Sequence, residues 1–282
     1  EMCIRDRLAR KYTNKDIIVF GACEDYRVCM LNDISFALFS LNDAKKIVKI
    51  AKKNKLTPKM HLCINTGMNR YGVKSEKDYD KVILYLLKNK VSLAGLYTHF
   101  SSLTTDREYT EKQREKFERF VAKLPKCWET CVHVGGGRSI FEGIDADVYR
   151  VGLEVYGYGN EFVKPVLRVE SEIVDIQKVY KGEHIGYLCG YTAQEDITVA
   201  TIPLGYGDGL PRKLSNKLQV KINGKTAQNV GNICMDAFMV DVSKINCKIG
   251  DKVVIFDNAT AIAPLIESTE YEVLTNLSKF RG

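Results

Sequence analysis

From Asp16 to Gly157 short apolar runs alternate with longer amphipathic stretches, and after Pro165 that alternation gives way to β-rich runs separated by glycine turns. The first pattern is that of parallel strands joined by helices. A strand buried on both faces needs a continuous apolar run, whereas a covering helix needs apolar residues only every third or fourth position. Strands are predicted at Ile17–Phe20, Ser35–Phe39, His61–Ile64, Leu93–Tyr97, Cys131–Val134 and Val148–Val151. Helices are predicted between them at Asp43–Lys53, Glu76–Lys88 and Thr110–Lys123, with Asn42 and Ser75 as N-caps.

A closed barrel of eight strand–helix units takes about 250 residues, and this α/β region spans roughly 160. The expectation is therefore strands three to eight of a (β/α)8 TIM-type barrel over residues 1–163, with the first two missing. The opening segment EMCIRDR, Glu1 to Arg7, resembles a non-native junction at the end of a truncated reading frame. Beyond Pro165 the runs Val166–Tyr180, Ile197–Ile202, Leu218–Ile222, Phe238–Val242 and Val253–Phe256 predict a mostly antiparallel β domain over 164–282. Turns at Lys181-Gly182, Asn223-Gly224 and Gly250-Asp251 punctuate them.

Composition narrows the function classes. No apolar run reaches the length of a membrane span and no signal segment opens the chain, so a soluble cytoplasmic protein without a membrane partner is expected. The net charge of +7 is spread over helical stretches such as Lys45–Lys55 and Lys112–Arg119, a solvated face rather than a nucleic-acid surface. The nine cysteines lack a CxxC pair and are expected to be reduced core thiols, with no metal centre.

Several segments could carry chemistry. In His133-Val134-Gly135-Gly136-Gly137-Arg138-Ser139 a strand hands over to a helix, and glycines there let backbone N–H groups approach an anion; a plain tight turn reads equally well. In barrel order this loop and Val151-Gly152-Leu153 would follow strands seven and eight, whose loops commonly bind phosphate. Arg150 and His99 close strands, where side chains face the mouth of a barrel, although an ion pair and a core histidine are the plain alternatives. Arg70 sits in a loop suited to binding a carboxylate through both guanidinium nitrogens. Tyr187, Tyr191 and Tyr206 cluster with glycines in the second domain, where tyrosines usually pack.

In order along the chain, INTGMNRYGV (Ile64–Val73), GLYTHF (Gly95–Phe100), YRVGLEVYG (Tyr149–Gly157), IGYLCGYTA (Ile185–Ala193), IPLGYGDG (Ile202–Gly209), VGNICMD (Val230–Asp236) and YEV (Tyr271–Val273) resemble the signature segments of alanine racemases. The resemblance implies pyridoxal 5'-phosphate as cofactor and interconversion of L- and D-alanine for cell-wall precursors. It also implies a head-to-tail homodimer with shared active sites. By the same resemblance Tyr187 is the acid/base on one substrate face, and Arg150 donates to the pyridine nitrogen. His99 links Arg150 to Tyr187, while Gly136, Gly137, Gly152, Leu153 and Tyr271 bind the phosphate. Arg70 and the backbone of Met235 bind the substrate carboxylate, and Tyr206 lines the entrance.

Three departures from the family pattern stand out. The cofactor-bearing lysine of a VKANAYGHG-like segment is absent from this sequence, so these residues alone are expected to be inactive. Gly136-Gly137 stands where Asn-Ser is usual, and Cys63 where many members have a lysine that positions the substrate arginine. Three other families come into consideration: a serine racemase of the vancomycin-resistance type, a non-catalytic barrel that binds the same cofactor, and a basic-amino-acid decarboxylase. The β domain and GYLCGYTA argue against the second, and the third lacks its cysteine-bearing segment.

Overall fold

The computed structural model describes residues 2–277, so Glu1, where the junction reading begins, lies outside the described residues. The chain forms two compact units that divide after Gly152.

The first unit runs α1 (Met2–Arg10), β1 (Ile17–Val19), α2 (Tyr26–Leu31), β2 (Ile34–Leu38), α3 (Leu41–Asn54), β3 (Met60–Cys63), α4 (Glu76–Lys88), β4 (Gly95–His99), α5 (Arg107–Ala122), β5 (Cys131–Gly135) and β6 (Val148–Arg150). Its strands make one six-stranded sheet in chain order, and every neighbouring pair is parallel. That is the curled, partial-barrel sheet expected from the alternation. The outward residues of the strands, among them Phe36, Leu38, Leu62, Leu96 and Val134, pack against the helices in one core. In α3 the buried residues Ala44, Ile47, Val48 and Ala51 follow a single helical stripe.

Some sequence-based details need correction. The N-cap of α3 is Ser40, whose hydroxyl accepts from the Asp43 N–H, so Asn42 lies inside the first turn. Helix α5 starts three residues earlier than predicted, because Asp106 caps it. The thiols also divide: Cys23, Cys29 and Cys63 are buried, but Cys127 and Cys189 are exposed.

The second unit carries β7 (Val169–Glu172), β8 (Asp175–Val179), β9 (His184–Ile185), β10 (Tyr191–Thr192), β11 (Ile197–Ile202), β12 (Gln219–Ile222), β13 (Lys225–Asn229), β14 (Phe238–Asp241) and β15 (Lys252–Phe256), then α6 (Ala259–Ile262) and α7 (Glu270–Leu277). Seven of these strands form an antiparallel sheet in the order β7-β15-β12-β13-β14-β11-β8, and β9 and β10 pair as a separate hairpin. The single run predicted over Val166–Tyr180 is two strands on opposite edges of that sheet. Asn223 and Gly224 both take positive φ (49° and 78°), which gives the β12–β13 hairpin the turn its two-residue loop requires. No helix among the described residues is long and apolar enough to cross a membrane.

Candidate active site

Alternation along the parallel strands turns His61, Cys63, Tyr97, His99, His133 and Arg150 to the face away from the helices. Register then lines them up: Cys63 lies beside Tyr97 and Tyr97 beside His133, with His99, Gly135 and Arg150 in the next row. Two glycines make room for this polar set. A Cβ on Gly95 would overlap the His61 ring, and one on Gly135 would overlap both His99 Nδ1 and Arg150 Nη2. Gly135→Ala is therefore expected to lower stability by about 1–3 kcal/mol through overpacking, measured by urea unfolding.

Arg150 is the hub. Its Nη2 donates to the Thr98 carbonyl at 2.7 Å and its Nη1 to His133 Nδ1 at 2.6 Å. The guanidinium carbon lies 4.7 Å from the Phe20 ring centre and 4.9 Å from that of Tyr97. Burial lowers its pKa to about 10, which leaves it charged at neutral pH. An arginine only donates, so the His133 proton resides on Nε2, which donates to His61 Nδ1 at 2.8 Å. Both rings are neutral in this relay. Burial first, and the Arg150 charge second, lower His133 to about 3 and His61 to about 4; the same two causes lower His99 to about 4.

His133 and His61 are site residues that sequence reasoning missed. The available signal was the period of two: in Cys131-Val132-His133-Val134-Gly135 the histidine shares a face with Gly135, the neighbour of Arg150. Arg150 bonds to His133 and Thr98, while the His99 ring and the guanidinium both border the space that a Cβ on Gly135 would fill.

Around this hub the loops differ in character. Gly136 has φ 102° and caps a short 3-10 turn, Gly137–Ile140, where the buried Ser139 hydroxyl donates back to the Gly136 carbonyl at 2.5 Å. Arg70 is exposed, yet its charge helps to lower His99. Cys63 Sγ points to the Tyr71 carbonyl at 3.6 Å, and burial raises its thiol pKa. Gly152 precedes a second short 3-10 turn, Leu153–Tyr156, and the Leu153 side chain enters the core of the second unit. The residues closing the six strands are Val19, Leu38, Cys63, His99, Gly135 and Arg150. None is a lysine.

In the second unit Tyr187, Tyr206, Arg212, Asn232 and Ile233 line one concavity, and Tyr187 is 71% exposed. Tyr206 is held by its N–H on the Cys234 carbonyl, and the next N–H, of Gly207, reaches the Met235 carbonyl at 2.7 Å. Gly205 has no Cβ because one would overlap the Met235 backbone. The exposed Tyr271 lies in the first turn of α7, and Met235 is exposed as well.

A partial parallel barrel with arginine and histidines on its strand ends, followed by a β domain presenting tyrosines, defines an enzyme of the barrel-plus-β-domain class. Residues 6–160 match the alanine racemase N-terminal domain and residues 166–281 its C-terminal domain. Alanine racemase 1 of Clostridium acetobutylicum is 32% identical over 268 residues, 87% of this chain and 69% of the relative. The Helicobacter pylori G27 alanine racemase is 30% identical over 300 residues, 96% of this chain and 80% of its own. Among solved structures, Clostridium difficile 630 alanine racemase superposes with TM-score 0.88 at 30% identity, covering 96% of this chain and 76% of that one. The Bartonella henselae alanine racemase with covalently bound pyridoxal phosphate gives 0.86 at 26% identity, covering 97% and 80%. The chain belongs to the alanine racemase family. The reaction class of that family is the isomerisation of alanine.

Proposed function

We propose that the 1–163 part holds pyridoxal phosphate through Arg150 and the Gly136-Gly137 turn, and that Tyr187 of the 164–282 part supplies one of the two bases for alanine racemisation. The observation that carries the first half is the arrangement of Arg150. Two of its five N–H donors are taken by Thr98 and His133, so the guanidinium is fixed in place with donors left over. The donor set suits the group: a permanent cation for the pyridine nitrogen, and a glycine-rich 3-10 turn whose backbone N–H groups a phosphate can approach. When bound, the cofactor withdraws electrons from the substrate α-carbon and so acidifies its proton.

Arg150 would offer a donor to the ring nitrogen, and because a guanidinium does not give up its proton at neutral pH it would keep that nitrogen unprotonated and limit the withdrawal. His99, neutral at neutral pH, links the guanidinium to Tyr187 in this reading. Arg70 and the Met235 backbone hold the substrate carboxylate, Gly152, Leu153 and Tyr271 complete the phosphate site, and Tyr206 narrows the entrance. With Tyr187 serving the site of a second copy, the working unit is a homodimer.

Equilibrium dialysis with ring-15N-labelled pyridoxal phosphate tests the arginine. The bound ring nitrogen should resonate as unprotonated and hydrogen-bonded, and Arg150→Leu should weaken binding about 10- to 100-fold, the loss of one charge-assisted bond. Equal affinity in Arg150→Leu would remove the assignment.

A further inference from the structure

The hairpin that presents Tyr187 is held in a disfavoured conformation. Leu188 and Cys189 are successive non-glycine residues with φ 58° and 50°, the left-handed region in which a Cβ crowds the following carbonyl. Leu188 is also 86% exposed, so its own packing does not compensate. β9 and β10 contribute only two paired positions, Tyr191 with Ile185 and Thr192 with His184. Something else must hold the loop.

The second unit supplies it from three asparagines. Asn232 Nδ2 donates to the Tyr187 carbonyl at 2.8 Å, and Asn216 Nδ2 donates to the Gly190 carbonyl at 3.0 Å, so the strained residues are tied on both sides. Asn216 is itself fixed. Its N–H reaches Asn229 Oδ1 at 2.6 Å and its Oδ1 accepts from Gly231 N–H at 2.7 Å. Asn229 is 1% exposed and anchors to β14, its Nδ2 donating to the Met239 carbonyl at 2.8 Å. The fit is close: a Cβ on Gly190 would come within 2.7 Å of Asn232 Nδ2 and 2.8 Å of its backbone nitrogen.

From these contacts we infer that Asn232 and Asn216 are positioning residues that clamp the Tyr187 hairpin in its left-handed conformation and thereby aim the tyrosine. The clamp rests on the reading of Tyr187 as a base for its purpose, but not for its existence. An amide is suited to the task because its NH2 donates to a carbonyl while its oxygen accepts a neighbouring N–H, and Asn216 uses both ends. Aspartate has the same shape and retains the acceptor but loses the donor, so Asn232→Asp and Asn216→Asp each cut one tie without opening a cavity.

Limited chymotrypsin digestion of the 282-residue chain reads the clamp directly, since cleavage after Tyr187 and Leu188 tracks the open population of the loop. Phe162, exposed in the same unit, serves as the internal reference. Each aspartate variant should be cut at the hairpin about fivefold faster or more, as expected for one lost hydrogen bond, with the Phe162 rate unchanged. Unchanged hairpin cleavage in both variants overturns the proposal, and so does a rise matched at Phe162, which would mean that the asparagines hold the whole domain. In a chain extended upstream with a lysine-bearing segment, Asn232→Asp should lower kcat about fivefold with little change in KM. Should Tyr187→Phe turn over at the unmodified rate in that assay, the tyrosine loses its role as base while the digestion result stands.

Discussion

Acidification from pH 7 to pH 4 will destabilise the chain steeply, and the cause lies in three neutral histidines. His61, His99 and His133 have folded-state pKa values lowered to about 4, 4 and 3. In the unfolded chain each titrates near 6.5. Between those limits the unfolded state binds the additional protons, so stability rises with pH there and falls as pH drops below about 6.5. The slope approaches about 1.4 kcal/mol per pH unit for each histidine, or about 4 for three acting independently. Above pH 7 the same groups are neutral in both states and contribute no slope. Geometry gives the same sign: a proton on His133 Nδ1 would face the Arg150 donor, and a second proton in the His61–His133 pair would set donor against donor. Urea midpoints measured between pH 7 and pH 4 check this. His133→Asn, which keeps an acceptor near Arg150 but cannot titrate, should remove about a third of the slope. Midpoints that stay level from pH 6.5 to 4 would contradict the relay.

The same relay shows where sequence reasoning reaches and where it stops. The six parallel strands were legible because burial on both faces writes a continuous apolar run, as in Ile34–Leu38, and their parallel order follows from the amphipathic stretches between them. Arg150 and His99 were legible from their place at strand ends. His133 was not singled out, since its partners come from 17 and 72 residues away and depend on the registers of β3, β4, β5 and β6. The β domain was legible as a class but not as a sheet. The run Val166–Tyr180 carries no glycine or proline to announce that its two halves lie on opposite edges. Strand β13, Lys225–Asn229, is short and polar on its outer face, and only the Asn223-Gly224 turn before it marks it. The asparagine clamp was illegible for a related reason: Asn216 and Asn232 meet the hairpin through backbone carbonyls, and a carbonyl partner leaves no mark in the residue types.

Turnover should depend on an amine that none of the six strand ends provides. Racemisation needs a proton removed from one face of the α-carbon and another delivered to the opposite face, so two groups on opposite sides must exchange protons with it. In the proposed reading Tyr187 serves one face. The residues closing the strands, Val19, Leu38, Cys63, His99, Gly135 and Arg150, include no lysine to serve the other or to bond the cofactor. The 282-residue chain by itself is therefore expected to form no detectable D-alanine from L-alanine. Joining a VKANAYGHG-like lysine-bearing segment ahead of these residues in an extended polypeptide should permit the reaction. In that extended protein Tyr187→Phe should depress racemisation by about 10²- to 10⁴-fold, the usual contribution of a positioned acid/base. The loss should also be lopsided. Exchange of the α-proton into heavy water, followed by NMR for each enantiomer separately, should collapse for the enantiomer whose proton faces Tyr187 and persist for the one whose proton faces the lysine. Racemisation by the 282 residues alone would show that a second base was overlooked among them, and equal exchange of both enantiomers in Tyr187→Phe would show that the tyrosine is not a base at all.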